Sequence, residues 1–246
     1  MDNKQSFLTM PAAIVITGAM IAIAIIWTQK PATINTISDS ARLLPKISMN
    51  PISKADHILG NPDAPIKIVE YSDTACPYCK TFTPTMEKIM DTYGVDGKVA
   101  WVYRHFPLDA PDENGNILHK NSNHEAQALE CANYLGGNEK FWAYLKRIYD
   151  VTPSVTSSSP DGLDQKQLPE IAKFVGLDPV AFNDCVASGR FKDTVKAEQT
   201  DGINAGVTGT PYSIIVTPSG NNIPVTGAQP FSVFKTAIDA LLAPAQ

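Results

Sequence analysis

The 246-residue chain has only four cysteines and four histidines. Structural zinc usually takes four ligands, often as two closely spaced pairs. Here Cys76 and Cys79 make one pair, no second Cys-x2-Cys or His-x3-His pair exists, and Cys131 and Cys185 stand alone; His57, His119 and His124 are read as no ligand set, so no metal is expected. Basic charge is not in excess either: the formal net charge is -5, which shows no bias toward nucleic acid. No internal repeat is visible, and 43% hydrophobic residues over this length suffice for one full core.

Charge is missing altogether from Phe7 to Trp27. As a helix, such a run of about twenty residues matches a hydrocarbon thickness of roughly 30 Å. It exceeds a signal-peptide core, and no small-x-small cleavage site follows, so residues 1–30 read as an uncleaved, single-pass signal anchor. Residues 31–56, rich in Ser, Thr, Asn and Pro, read as a tether with an r.m.s. span of roughly 25–30 Å.

The chemistry lies in Cys76-Pro77-Tyr78-Cys79. It follows a β-branched, strand-like run, Ile66 to Tyr71, and opens a stretch in which Phe82, Met86, Ile89, Met90 and Tyr93 share one helical face. A thiol at a helix N-terminus meets unpaired N–H groups and the positive end of the macrodipole, which favour the thiolate, the nucleophile of disulfide exchange. Cys76 is therefore assigned as the exposed attacking thiol and Cys79 as the shielded resolving thiol.

Other positions carry a resemblance. Pro84 sits inside the helical run, and Gly209-Thr210-Pro211 precedes the apolar run Tyr212 to Val216; Leu59 to Pro65, Phe106-Pro107-Leu108 and Phe141-Trp142 add to the pattern. Between about Ile58 and Leu242 the chain resembles thioredoxin-fold disulfide oxidoreductases of the DsbA-like family. The resemblance implies a kink at Pro84, a cis bond before Pro211, and a substrate surface made by Pro77, Tyr78, Thr210 and Pro211. It also implies a structural disulfide between Cys131 and Cys185; from the sequence alone, four cysteines allow three pairings, and two buried free thiols are the alternative. Glu70 shares a strand face with Ile66 and Ile68, where a carboxylate is costly to bury. The family places a buried acid there, which implies a proton shuttle for Cys79; the alternative is a carboxylate reaching solvent at the strand end.

The element order fits an α/β architecture: a thioredoxin fold over 57–246 with a helical domain inserted at about 115–206, preceded by the transmembrane helix. Ile66 to Tyr71, Cys76 to Tyr93 and Val99 to Tyr103 make a βαβ opening. Ser122 and Glu125 form a capping box, Asp178-Pro179 starts another helix, a helix from Lys192 is closed by Gly206, Tyr212 to Val225 is a hairpin, and Ser232 to Leu242 is the last helix. Asp73 is read as a solvated loop residue and His105 as packing or surface.

The expected activity is thiol–disulfide exchange that introduces disulfides into reduced secreted proteins. No cofactor beyond the Cys76–Cys79 pair is implied, and a quinone-linked membrane oxidase of the DsbB or VKOR type would reoxidise it. Persistent disulfide chemistry places the domain on the periplasmic or extracellular side of the cell membrane. The alternatives are an extracytoplasmic reductase or isomerase using the same site, a cytoplasmic glutaredoxin-like reductase, and a metal-binding module.

Overall fold

A computed structural model describes residues 47–111, 113–153 and 162–243. The Phe7 to Trp27 run lies outside them; among the described residues no helix is long and apolar enough to cross a membrane.

Strand β2 (Ile66–Ser72) sends Ile66 and Ile68 into one layer and Val69 and Tyr71 into the other, a pattern that suits a central strand. It pairs in parallel with β3 (Val99–His105) and antiparallel with β4 (Tyr212–Val216). The edges are β1 (His57–Leu59) and β5 (Asn222–Thr226), giving the order β1-β3-β2-β4-β5. The three-residue β1 is too short to show alternation and was not anticipated.

Helix α1 (Pro77–Ile89) crosses between β2 and β3, runs through Pro84 and ends in a π-turn at Met90–Gly94. With α6 (Phe231–Leu242) it covers one face of the sheet, where Phe82, Met86, Ile89, Phe234 and Ile238 meet Ile66, Ile68, Trp101 and Ile215. Each such burial is worth about 1.5–3 kcal/mol.

Between β3 and β4 lie α2 (Ser122–Val151), α3 (Leu168–Phe174), α4 (Pro179–Ala187) and α5 (Lys192–Asn204). Gly137, at φ 75° and ψ -177°, kinks α2. The Asp178 carboxylate caps α4 by accepting the N–H groups of Val180 and Ala181 at 2.9 and 2.8 Å. Cys131 on α2 and Cys185 on α4 are joined by a disulfide. The capping box does not form. Asn121 is the N-cap of α2, the Ser122 hydroxyl donates to the His119 carbonyl, and Glu125 turns inward toward the loop before Cys76.

Helix α5 closes the second face of the sheet. A Cβ on Gly202 would fall 2.5 Å from the Phe106 ring, so glycine permits this approach. Ile47, Met49 and Ile52 lie on the same layer. The end of the expected tether, 47–56, is thus bound to the domain. Buried Arg104 explains why: it donates to Asp56 at 2.8 Å, to Asp201 at 2.7 Å and to the Asn50 carbonyl at 3.1 Å, while the Asn50 N–H donates to Asp201 at 2.6 Å.

Candidate active site

Cys76 is the N-cap of α1 and Pro77 occupies its first turn, where a missing N–H costs nothing. The backbone N–H groups of Cys79 and Lys80 point back to the Cys76 carbonyl at 3.1 and 3.2 Å. The Cys76 thiol is lowered to about 6, chiefly by the hydrogen bond from the Cys79 thiol; burial opposes this, and Thr210 and the N–H groups of Cys79 and Tyr78 add to it. Cys79 moves well above its ordinary value, first by burial, then through the shared hydrogen bond and the charges of Cys76 and Glu70. One sulfur is thus favoured as thiolate and its neighbour as thiol.

Both cysteines are reduced and both are buried, Cys76 at 3% exposure and Cys79 at 0%. The expectation of an exposed Cys76 is corrected: the Thr210–Pro211 loop lies against it, with the Cys76 thiol donating to the Thr210 carbonyl at 3.4 Å. The Thr210–Pro211 peptide is cis. Around the covered sulfur Tyr78 is 66% exposed, Pro77 and Thr210 are half-buried, and Pro211 is buried.

Behind the cysteines, Glu70 is 1% exposed and does not reach solvent. It stands in register with Tyr103 on β3 and Ser213 on β4. Glu70 Oε2, the Tyr103 hydroxyl and the Ser213 hydroxyl have no hydrogen-bond partner among the described residues. Burial raises the Glu70 carboxyl to about 7; Ser72 and Trp101 pull it down, and the Cys76 charge pushes it up. A carboxyl near neutrality beside a thiol can give or take a proton at physiological pH. Tyr103 and Ser213 sit in strands that otherwise read as ordinary apolar runs, so nothing in the sequence marked them.

The loop before Cys76 also differs from expectation. Asp73 is buried, not solvated, and accepts from the Ala75 N–H at 2.8 Å, the Leu108 N–H at 2.8 Å and His119 Nδ1 at 2.9 Å. The Thr74 hydroxyl donates to Glu125 at 2.6 Å, and Gln165 donates to the other oxygen at 2.9 Å. Burial raises Glu125 to about 7. The Lys80 ammonium donates to the Thr152 carbonyl at 2.5 Å, tying α1 to the end of α2. The insertion therefore bonds to the loop before Cys76 through His119 and Glu125, and to α1 through Thr152.

His57, His105 and Glu130, all buried, bring ligand atoms within 4.8 Å of one another and are the residues whose types could hold a metal ion. Glu130 lies 2.7 Å from His57 Nε2 and 3.2 Å from His105 Nε2. Burial pushes Glu130 up, but the two imidazoles outweigh it and hold the carboxyl at about 2. The arrangement sets a buried carboxylate of α2 against imidazoles of β1 and β3. His105, read from the sequence as packing or surface, is buried at 1% exposure.

The family model described as thioredoxin (Thioredoxin_4) matches residues 53–240. The chain belongs to the thioredoxin family. Within it the likeness is to DsbA-type disulfide oxidoreductases: the crystal structure of α-DsbA1 from Wolbachia pipientis aligns with a TM-score of 0.63 and 25% identity, covering 81% of this chain and 94% of that one. A probable disulfide bond formation protein D of Bacillus anthracis is 28% identical over 159 residues, 62% of this chain and 66% of that protein. Sequence similarity also extends to the Na(+)/H(+) antiporter NhaA 1 of Mycolicibacterium gilvum, 33% identical over 94 residues, which are 38% of this chain and 13% of the antiporter. The chain thus spans a small fraction of that relative's length.

Proposed function

We propose that the protein is a dithiol oxidase that introduces disulfide bonds into reduced proteins outside the cytoplasm, held at the cell membrane by the Phe7 to Trp27 segment. The observation that carries this is the split between the two sulfurs: Cys76 lowered to about 6 and Cys79 raised, behind the cis Thr210–Pro211 loop. A low-pKa thiolate leaves readily and stabilises the reduced form, which makes the oxidised form the stronger oxidant.

A substrate thiolate attacks Cys76 Sγ of the Cys76–Cys79 disulfide; the new S–S bond forms as the old one breaks and Cys79 departs with the electron pair. Buried Cys79 needs a proton, and Glu70, near 7, supplies it. A second substrate thiolate then attacks the substrate sulfur of the mixed disulfide and expels Cys76 as thiolate. Two electrons have moved from the substrate thiols to Cys76 and Cys79. A membrane oxidase of the DsbB or VKOR type would remove them, at a rate favoured by tethering both proteins to one membrane.

The transport named for the antiporter relatives is not carried over, since the matched residues are 13% of that protein. The test uses a reduced, unfolded protein with one native cysteine pair. The oxidised chain should convert its thiols to a disulfide stoichiometrically, and Cys79→Ala, with Cys76 first loaded as a mixed disulfide with glutathione, should release glutathione to the reduced substrate and hold the substrate on Cys76. Reshuffling of a scrambled substrate without net thiol loss would instead assign an isomerase.

A further inference from the structure

The Asp73–His119 pair has no place in the exchange steps, yet it holds the turn that delivers the attacking sulfur. Asp73 accepts three hydrogen bonds, two of them from backbone N–H groups, Ala75 in its own turn and Leu108 in the segment after β3. The Cys76 N–H closes the same turn on the Asp73 carbonyl at 3.1 Å. His119 is fixed in turn: its N–H donates to the Leu108 carbonyl at 3.1 Å, and its carbonyl accepts from the Ser122 N–H and hydroxyl at 3.1 and 2.9 Å. Three donors converge on the carboxylate, the acceptor form of an acidic side chain. Placed three residues before Cys76 and equally buried, that negative charge would oppose the thiolate. The imidazole that binds it can form a cation.

We infer that His119 is a positioning residue whose charge cancels that of Asp73, so that the acid shapes the Cys76 turn without suppressing the Cys76 thiolate. The inference rests on Cys76 being the attacking thiol. The groups facing the pair are compatible with it. Burial alone would pull His119 down, but the hydrogen bond and charge of Asp73, with the charges of Cys76 and Glu125, raise it. Glu125 of α2, raised to about 7, is mostly neutral where Cys76 titrates. Asp109 feels both Asp73 and Lys196 of α5 and is raised mainly by its own burial. Tyr144, beside Glu125, stays neutral, being driven well above its ordinary value. Asp73, Cys76 and Glu125 thus all favour the protonated imidazole of His119.

The test is the pH profile of Cys76 alkylation by iodoacetamide in the reduced full chain, with the modified cysteine located by peptide mass. His119→Gln keeps a donor for Asp73 and removes the charge. It should raise the midpoint by about half a unit or more, slowing alkylation at pH 6 at least about twofold, since a neighbouring charge shifts a thiol on this scale. Adding Asp73→Asn to His119→Gln should bring the midpoint back toward that of the parent. An unchanged midpoint in His119→Gln, or a double variant further from the parent than the single one, would overturn the inference, because a merely structural pair accumulates damage. The parent chain supplies a readout free of folding effects. Coupling is reciprocal, so the His119 imidazole, followed by NMR, should titrate higher when Cys76 is a thiolate than in the disulfide form; equal midpoints would contradict the inference. Exchange of the parent with glutathione is measured alongside. If the parent does not exchange, the proposed function falls; if it exchanges while these midpoints do not move, only the role of His119 falls.

Discussion

Two buried polar groups lie on opposite faces of β2 and are handled in opposite ways. On the α5 side, Arg104 is closed by Asp56, Asp201 and backbone carbonyls, and the Tyr71 hydroxyl donates to Asp201 at 2.5 Å. On the cysteine side, Glu70, Tyr103 and Ser213 form a row across three strands in which Glu70 Oε2 and the two hydroxyls have no hydrogen-bond partner among the described residues. Both groups pay desolvation. The first is paired and fastens 47–56 to the sheet; the second is incompletely paired, and burial carries its carboxyl to about 7, where it can exchange protons. Pairing gives structure, and withheld pairing gives titration near neutrality.

The comparison breaks most visibly at Asp201. Asp201→Ala leaves the Arg104 guanidinium buried with part of its pairing gone and should destabilise the domain by about 3–5 kcal/mol in urea unfolding, with the Cys76 alkylation midpoint unmoved. Next comes the Cys131–Cys185 bridge, which closes a loop spanning 54 positions. The chain-entropy model gives a loop of that size about 4 kcal/mol, and replacing both cysteines by Ala should lose about 2–4 kcal/mol of stability and leave the exchange chemistry in place.

Glu70 should behave in the reverse sense to Asp201. Its folded value, about 7, lies above the ordinary 4.5, so the folded state binds more protons than the unfolded one between these values. Stability contributed by the protonated carboxyl is therefore present below about pH 4.5 and is lost as pH rises to about 7. The loss amounts to up to about 3 kcal/mol, at 1.36 kcal/mol per unit. Glu70→Gln should flatten this decline, be more stable than the parent at pH 8, and resolve the mixed disulfide more slowly. A parent and variant with parallel stability profiles, or an unchanged resolution rate, would remove Glu70 from the account. The smallest effect belongs to the surface pair Lys146–Glu87, 2.8 Å apart and largely exposed. Lys146→Ala should change stability by less than about 0.5 kcal/mol.

The order of strands and helices was legible because β2, α1 and α6 carry clean periodicity and because Asp178-Pro179 and Gly206 punctuate their helices. The place of Cys76 and Cys79 at a helix start and of Glu70 on a buried strand face was legible from motif and strand alternation, and the cis bond before Pro211 from the family resemblance alone. Three things were not. β1 is too short for a pattern and exists through its pairing with β3. The 47–56 segment has a linker's composition, and its attachment depends on Arg104 and Asp201, distant in sequence. Asp73, His119 and Glu125 each have an ordinary local reading, as loop acid, lone histidine and helix cap. Tertiary contact converts them into a group around the Cys76 turn, and local propensity carries no trace of that contact.

The central claim is that the Cys76–Cys79 pair is poised to accept electrons, and its reduction potential, measured in the full chain at equilibrium with glutathione, tests it most directly. The account predicts a value at or above that of protein disulfide isomerase, about -180 mV; a value in the glutaredoxin range, about -200 to -230 mV, or lower would contradict it.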